Sequence, residues 1–173
     1  AEALQKSLDI YKDIGVEVYL PEVLRYQAEL SIQRGEWNSG LELAQQALAW
    51  ATQLGRKLEA GQAQRVVGQA LYHLGRLTDA SAHLQESLAS LQAQHSPYEI
   101  GLTLLALGQL FATQTATQPE NFDKAQALRC GREAITLFSH LGAAFDLEAA
   151  QAFCLRLEQR KEGDYKCNDK SSA

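Results

Sequence analysis

Apolar residues recur every three or four positions along most of the chain, the spacing that lines one face of a helix, and isolated glycines interrupt the pattern at even intervals. The stretch from Arg56 to Leu91 shows the unit most clearly: two amphipathic helical patterns joined by a short turn at Gly75. Its features return at an offset of forty positions. Gly75 matches Gly35, Gly68 lies between Ala28 and Gly108, Arg65 matches Arg25, Ala80 matches Gly40, and Leu88 matches Leu48. A two-helix unit repeated at a fixed period of this length predicts a helical solenoid, in which each unit buries its apolar face only against its neighbours.

In order, the pattern predicts helices over 1–14, 21–34, 38–54, 57–74, 78–94, 97–113, 121–141 and 143–160, and hence an all-α fold of about eight helices forming one domain over 1–160. The first, with Leu4, Leu8, Tyr11 and Ile14 on one face and Gly15 as C-cap, reads as the second helix of a repeat that lacks its first. With no methionine anywhere in the chain, this points to a piece of a longer protein. The next helix turns Leu24, Ala28 and Leu30 inward, and its partner carries Leu41, Ala44, Leu48 and Ala51. Trp37 falls in the turn between them, where a large ring would seal the repeat.

The central pair turns Leu58, Val66, Ala70 and Leu74 inward from one helix, and Leu84, Leu88 and Leu91 from the other. Gly68 costs about 1 kcal/mol against alanine inside a helix, so its place, and that of Ala80, implies two backbones in close approach. Thr78 or Asp79 begins the second helix of this pair. Ser96, Pro97 and Glu99 form a helix start in which Ser96 caps and Glu99 reaches back to the cap amide. Thr113 to Gln118 is a solvent-facing loop or a helical extension, and the pattern resumes at Asn121 or Phe122. The final helix turns Phe145, Leu147, Ala150, Phe153 and Leu157 inward under a polar outer face. The remaining residues, 161–173, read as a disordered or non-native tail.

Composition narrows the function classes. The chain is 46% hydrophobic with 3 prolines, a helical composition, and its net charge of -5 comes from interspersed acids and bases. Nucleic-acid binding wants a basic stripe, which is missing. No apolar run of membrane-spanning length and no leader pattern is present, so a soluble cytoplasmic protein is expected, with no membrane partner. Cys130, Cys154 and Cys167 lack a disulfide or zinc spacing, and His73, His83, His95 and His140 gather on no helix face. There is no Gly-rich phosphate loop. No catalysis, metal or cofactor is expected.

The repeat resembles the tetratricopeptide (TPR) family in its longer form. Gly68, Leu71, Ala80, Leu84 and Ser87 carry the pattern in the central unit. Ala28, Gly40, Ala44 and Ala47 carry it before, with Ser31 where a large residue is usual; Gly108 and Phe111 carry it after. In the last unit Ala125 or Ala127 takes the small-residue place, with Ala134 as anchor. Phrases such as HLGRLTDASAHLQESL also resemble the helical repeat regions of large bacterial signalling proteins, namely ATPase-coupled regulators, adenylate cyclases and kinases.

The resemblance implies a right-handed α-α superhelix whose first helices line a concave groove, and a function in binding a protein or peptide segment, possibly another domain of the parent chain. The groove residues would be Arg25, Glu29, Gln62, Arg65, Gln69, Tyr72, His73, Leu105 and Gln109; repeat packing would fall to Ala28, Trp37, Gly40, Gly68, Ala80, Leu84 and Gly108. Arg25 and Arg65 present guanidinium forks at one phase of adjacent turns, suited to a carboxylate or a peptide backbone; the other reading pairs Arg25 with Glu22 or Glu29 along its helix. Replacing Arg65 and Tyr72 together is expected to abolish binding with the melting temperature nearly unchanged. Self-association through stacked end helices is the second functional reading, with a monomer or weak homo-oligomer as the state in solution.

Overall fold

The computed structural model describes residues 17–117 and 124–159. Among them a single 3-10 turn, Glu17–Tyr19, precedes α1 (Leu20–Gln33), α2 (Trp37–Gln53), α3 (Lys57–His73), α4 (Leu77–Ala93), α5 (Pro97–Thr117), α6 (Lys124–Leu141) and α7 (Ala144–Gln159). No strand occurs among the described residues. The fold is all-α and built from paired helices, as the forty-residue pattern predicts. The chain divides into two compact units, Ala1–Thr103 and Leu104–Ala173. The orphan helix expected over 1–14, the helix start at Asn121 or Phe122, and the tail lie outside the described residues.

The link between consecutive helices is one device used repeatedly. Gly35, Gly55, Gly75 and Gly142 all have positive φ, between 67° and 79°, and each donates its amide to the carbonyl three positions back while the next residue donates five positions back. Gly75 to Tyr72 and Arg76 to Leu71, both 3.0 Å, are one such pair. This is the Schellman stop, which satisfies helix-end carbonyls and needs a left-handed residue. The residue after the glycine then opens the next helix, since Arg76 already accepts from Ala80 at 2.9 Å. The turn between α4 and α5 carries His95 instead, at φ 50°.

Its neighbour Ser96 donates its amide to Leu91 at 3.2 Å, and Glu99 points elsewhere, so the reciprocal cap expected from Ser96 and Glu99 does not form there. No side-chain cap holds Glu36, Arg56 or Arg76 either. The turn geometry does that work, which is why α2 and α4 start one residue earlier than expected, at Trp37 and Leu77. Helix α5 runs on through Thr117, so the Thr/Gln stretch is a helical extension over its described part.

In the first unit α1 packs on α2, α2 on α3, α3 on α4, and α1 also reaches α3. Small residues set the spacing. Ala28, Ala44, Ala47, Ala51, Ala63, Ala70 and Ala80 are fully buried, whereas the expected inward leucines Leu30, Leu41, Leu48, Leu58, Leu74 and Leu88 are only half-buried. Helices this close leave room on the central line for methyl groups, and the leucines flank it. A Cβ on Gly68 would lie 2.6 Å from Leu84 Cγ and 3.3 Å from the Ala80 carbonyl, and one on Gly40 would lie 2.7 Å from Ile32 Cγ1.

In the second unit Ala112, Ala127, Phe153, Cys154 and Leu157 form the core, with Leu105, Phe111, Leu128 and Ile135 against it. Gly108 and Gly131 admit the Phe153 ring, and Cys154 closes over Gly131. Phe145, expected inward, is 83% exposed. It sits on the first turn of α7, where its phase places it with Ala149, Ala152 and Leu155 on the outer face rather than with Phe153 and Leu157.

Candidate functional site

Charged side chains of α1, α3 and the first turn of α5 form a continuous ladder within the first unit. Arg25 donates to Glu29 at 2.8 Å, one turn along α1. Glu29 Oε1 lies 3.6 Å from Arg65 Nη2 on α3, and Arg65 Nη2 donates to Glu99 Oε2 at 2.9 Å on α5. Gln62 donates to the other Glu99 oxygen at 2.9 Å. Two guanidiniums and two carboxylates thus alternate across three helices with no net charge.

The ladder is deeply set. Arg25 is 7% exposed and Arg65 5%, unusual values for arginine unless it is paired. Burial on its own lowers the Arg25 pKa, but Glu29 and the Tyr26 side chain outweigh it and hold that guanidinium above its ordinary value. Its carbon rests 4.0 Å over the Tyr26 ring centroid, a cation–π contact. The Nε atoms of Arg25 and Arg65 are buried without a hydrogen-bond partner.

Below the ladder, Ser87 of α4 donates to the Gly61 carbonyl at 2.8 Å and meets Thr103 at 3.4 Å, all buried. At the other end of α3, the His73 ring stacks on Trp37 with centroids 5.7 Å apart and planes 12° from parallel, and Tyr72 meets His73 edge-on at 5.2 Å. Trp37 stands at the first residue of α2 and is 40% exposed. It ties α2 to α3 while staying partly open to solvent. Burial lowers the His73 pKa.

Of the sequence-derived groove residues, the first unit brings Arg25, Glu29, Gln62 and Arg65 into one network, with Gln69 and Tyr72 half-buried along the same face of α3 and His73 in the aromatic stack. Leu105 and Gln109 belong to the second unit, where Leu105 packs against the core and Gln109 is exposed. Glu99 was the residue missed. It lies thirty-four positions after Arg65, a spacing that also separates Arg25 from Glu59; there Arg56 takes Glu59 and Arg25 takes Glu29. One-turn competition hid the cross-repeat pairing.

The helix-pair unit, its Schellman links and its small-residue seams settle the architecture. The fold is TPR-like. In three dimensions the chain is similar to BtubC (BKLC) from P. vanneervenii, with a TM-score of 0.54 at 15% identity over 99% of this chain and 79% of that one. No family model matches the chain, and no curated protein matches it. The likeness at that identity concerns the fold.

Neither cysteine among the described residues is activated. Burial pushes the Cys130 thiol up to about 11 and raises Cys154 as well, so both stay protonated and inert near neutral pH. Among the described residues no group of three or more His, Cys, Asp or Glu side chains could hold a metal ion, and no helix is long and apolar enough to cross a membrane.

Proposed function

We propose that this chain is a non-catalytic protein-interaction module that binds an extended partner segment across the α1 and α3 face of its first unit. The observation behind this reading is the Arg25–Glu29–Arg65–Glu99 ladder. Because both guanidiniums are already matched by carboxylates, the face offers a strongly acidic segment no free pair of forks. It offers instead Gln69 and Tyr72 along α3, with Glu29, the Tyr26 ring and the Gln62 amide oxygen beside them. The partner that suits such a surface is a polar, near-neutral stretch whose backbone amides and carbonyls meet side-chain amides.

The ladder also fixes the face before a partner arrives, which reduces the ordering cost of association. Within that reading, the resemblance to bacterial signalling proteins supports a cytoplasmic role in which the module receives a segment from another domain of a larger chain. A photo-crosslinking amino acid placed at Gln69 tests it against the same group at Gln85, exposed on α4. Capture of one defined partner segment from Gln69 alone is expected. Equal labelling from both positions refutes the assignment of the face.

A further inference from the structure

The outer face of α7 exposes large apolar side chains. Phe145 and Leu155 are 83% and 55% exposed, and with Ala149 and Ala152 they form a single apolar stripe at helical spacing. Beside the stripe a groove of about 530 Å³ runs between α6 and α7, floored in part by Ile135 and Ala152. Large exposed apolar side chains gathered on one helix mark an interaction site.

The stripe is not shaped for another helix of the repeat. Gly68 stands thirteen positions after Gly55 and receives Leu84 of α4; thirteen positions after Gly142 stands Leu155. A helix closing on α7 as α4 closes on α3 would drive its leucine into Leu155. Likewise Leu71, buried in α3, corresponds to Glu158, which is exposed and accepts from Arg132 at 3.0 Å.

Self-complementarity supplies the occupant. Ala152 lies midway between Glu148 and Arg156, four positions from each; Glu148 and Arg156 are exposed and Ala152 is half-buried between them. Two copies of α7 crossing antiparallel at Ala152 bring Glu148 of each to the level of Arg156 of the partner subunit, twice by symmetry. The small residue falls at the crossing point, where close approach is needed, and Leu155 of each copy lies at the level of Glu148 and Ala149 of the other. Among the described residues neither Glu148 nor Arg156 has an ion-pair partner within the chain. A twofold interface requires this kind of self-matching patch.

We propose that α7 is the contact helix of a homodimer, packed antiparallel about Ala152. The inference rests on the second unit alone and stands apart from the partner face of the first. One helix pair buries less than the roughly 1,200 Å² of a standard stable interface, so the dimer forms reversibly with concentration.

Sedimentation equilibrium of the full 173-residue chain from about 1 µM to about 1 mM should show monomer passing to dimer. Glu148→Arg or Arg156→Glu alone should weaken dimerisation about tenfold or more, because each sets like charges opposite one another twice. The two exposed substitutions should leave the circular dichroism spectrum unchanged. Mixing the two single variants, or combining both in one chain, should restore association. A monomer at every concentration, single reversals without effect, no mixed dimer, or masses growing past two copies would each overturn the proposal; the last would indicate head-to-tail contact instead.

Discussion

Adding one methyl group at Gly68 tests the packing at its tightest point. In an unconstrained helix interior Gly→Ala stabilises by about 1 kcal/mol. Here the new Cβ would sit 2.6 Å from Leu84 Cγ and 2.9 Å from its Cδ2. Leu84 is 1% exposed, so it cannot swing into solvent, and the Ala80 carbonyl at 3.3 Å blocks retreat along α4. Overpacking of this kind costs about 1–3 kcal/mol, which exceeds the propensity gain. Gly68→Ala should therefore destabilise by roughly 1 kcal/mol net, read as a lower urea midpoint in circular dichroism. The same substitution in a Leu84→Ala background should change sign and stabilise by about 1 kcal/mol, since the clashing atoms are gone. A stabilising Gly68→Ala in the wild type, or an equal loss in both backgrounds, would refute the reasoning.

Arg65→Met should cost about 3–5 kcal/mol, because the largely buried Glu99 loses its cation while Glu29 keeps Arg25; adding Glu99→Gln should recover much of that loss in thermal melts. The sequence-based expectation that Arg65 can be replaced with the melting temperature unchanged is therefore revised, and binding is better tested through Gln69. His95→Gly should stabilise by about 0.5–1 kcal/mol, since it relieves a left-handed conformation at the one described C-terminal helix turn that lacks glycine; no change in the urea midpoint would mean that His95 is held there without strain. For His73, burial lowers the folded pKa, so the unfolded chain binds the proton first. Its contribution to stability is full above the ordinary value near 6.5 and is lost as pH falls through the folded value. The wild type should lose more stability between neutral and mildly acid pH than His73→Gln, and equal losses would show that burial does not oppose protonation there.

The fold was legible because its determinants are periodic. Glycine at fixed offsets marks the Schellman turns other than the one at His95, and small residues at Ala28, Gly68 and Gly108 mark the helix seams. Boundaries shifted by a residue or so because the turns, rather than Ser, Thr or Asp caps, start the helices. Phe145 misled because hydrophobicity alone carries no phase; its partners Leu155 and Ala152 reveal the exposed face once α7 is drawn as one helix.

The candidate site was legible in its members and not in their state. Arg25 and Arg65 stand at matching positions, as the forty-residue offset implies, but their counterions depend on rivalry among Glu29, Glu59 and Glu99. That rivalry is decided by distances between helices, which no spacing along the chain expresses. Glu99 looked like a helix cap because its local context is that of one, while the Schellman turn at His95 had already consumed the Ser96 amide.

The partner face is tested most directly by amide chemical-shift mapping with the segment captured at Gln69. The account predicts perturbations at Gln62, Arg65, Gln69 and Tyr72 on α3, with the exposed residues of α4 unmoved and the affinity reduced by Gln69→Ala. Perturbations centred on α4, or an affinity indifferent to Gln69, would contradict it.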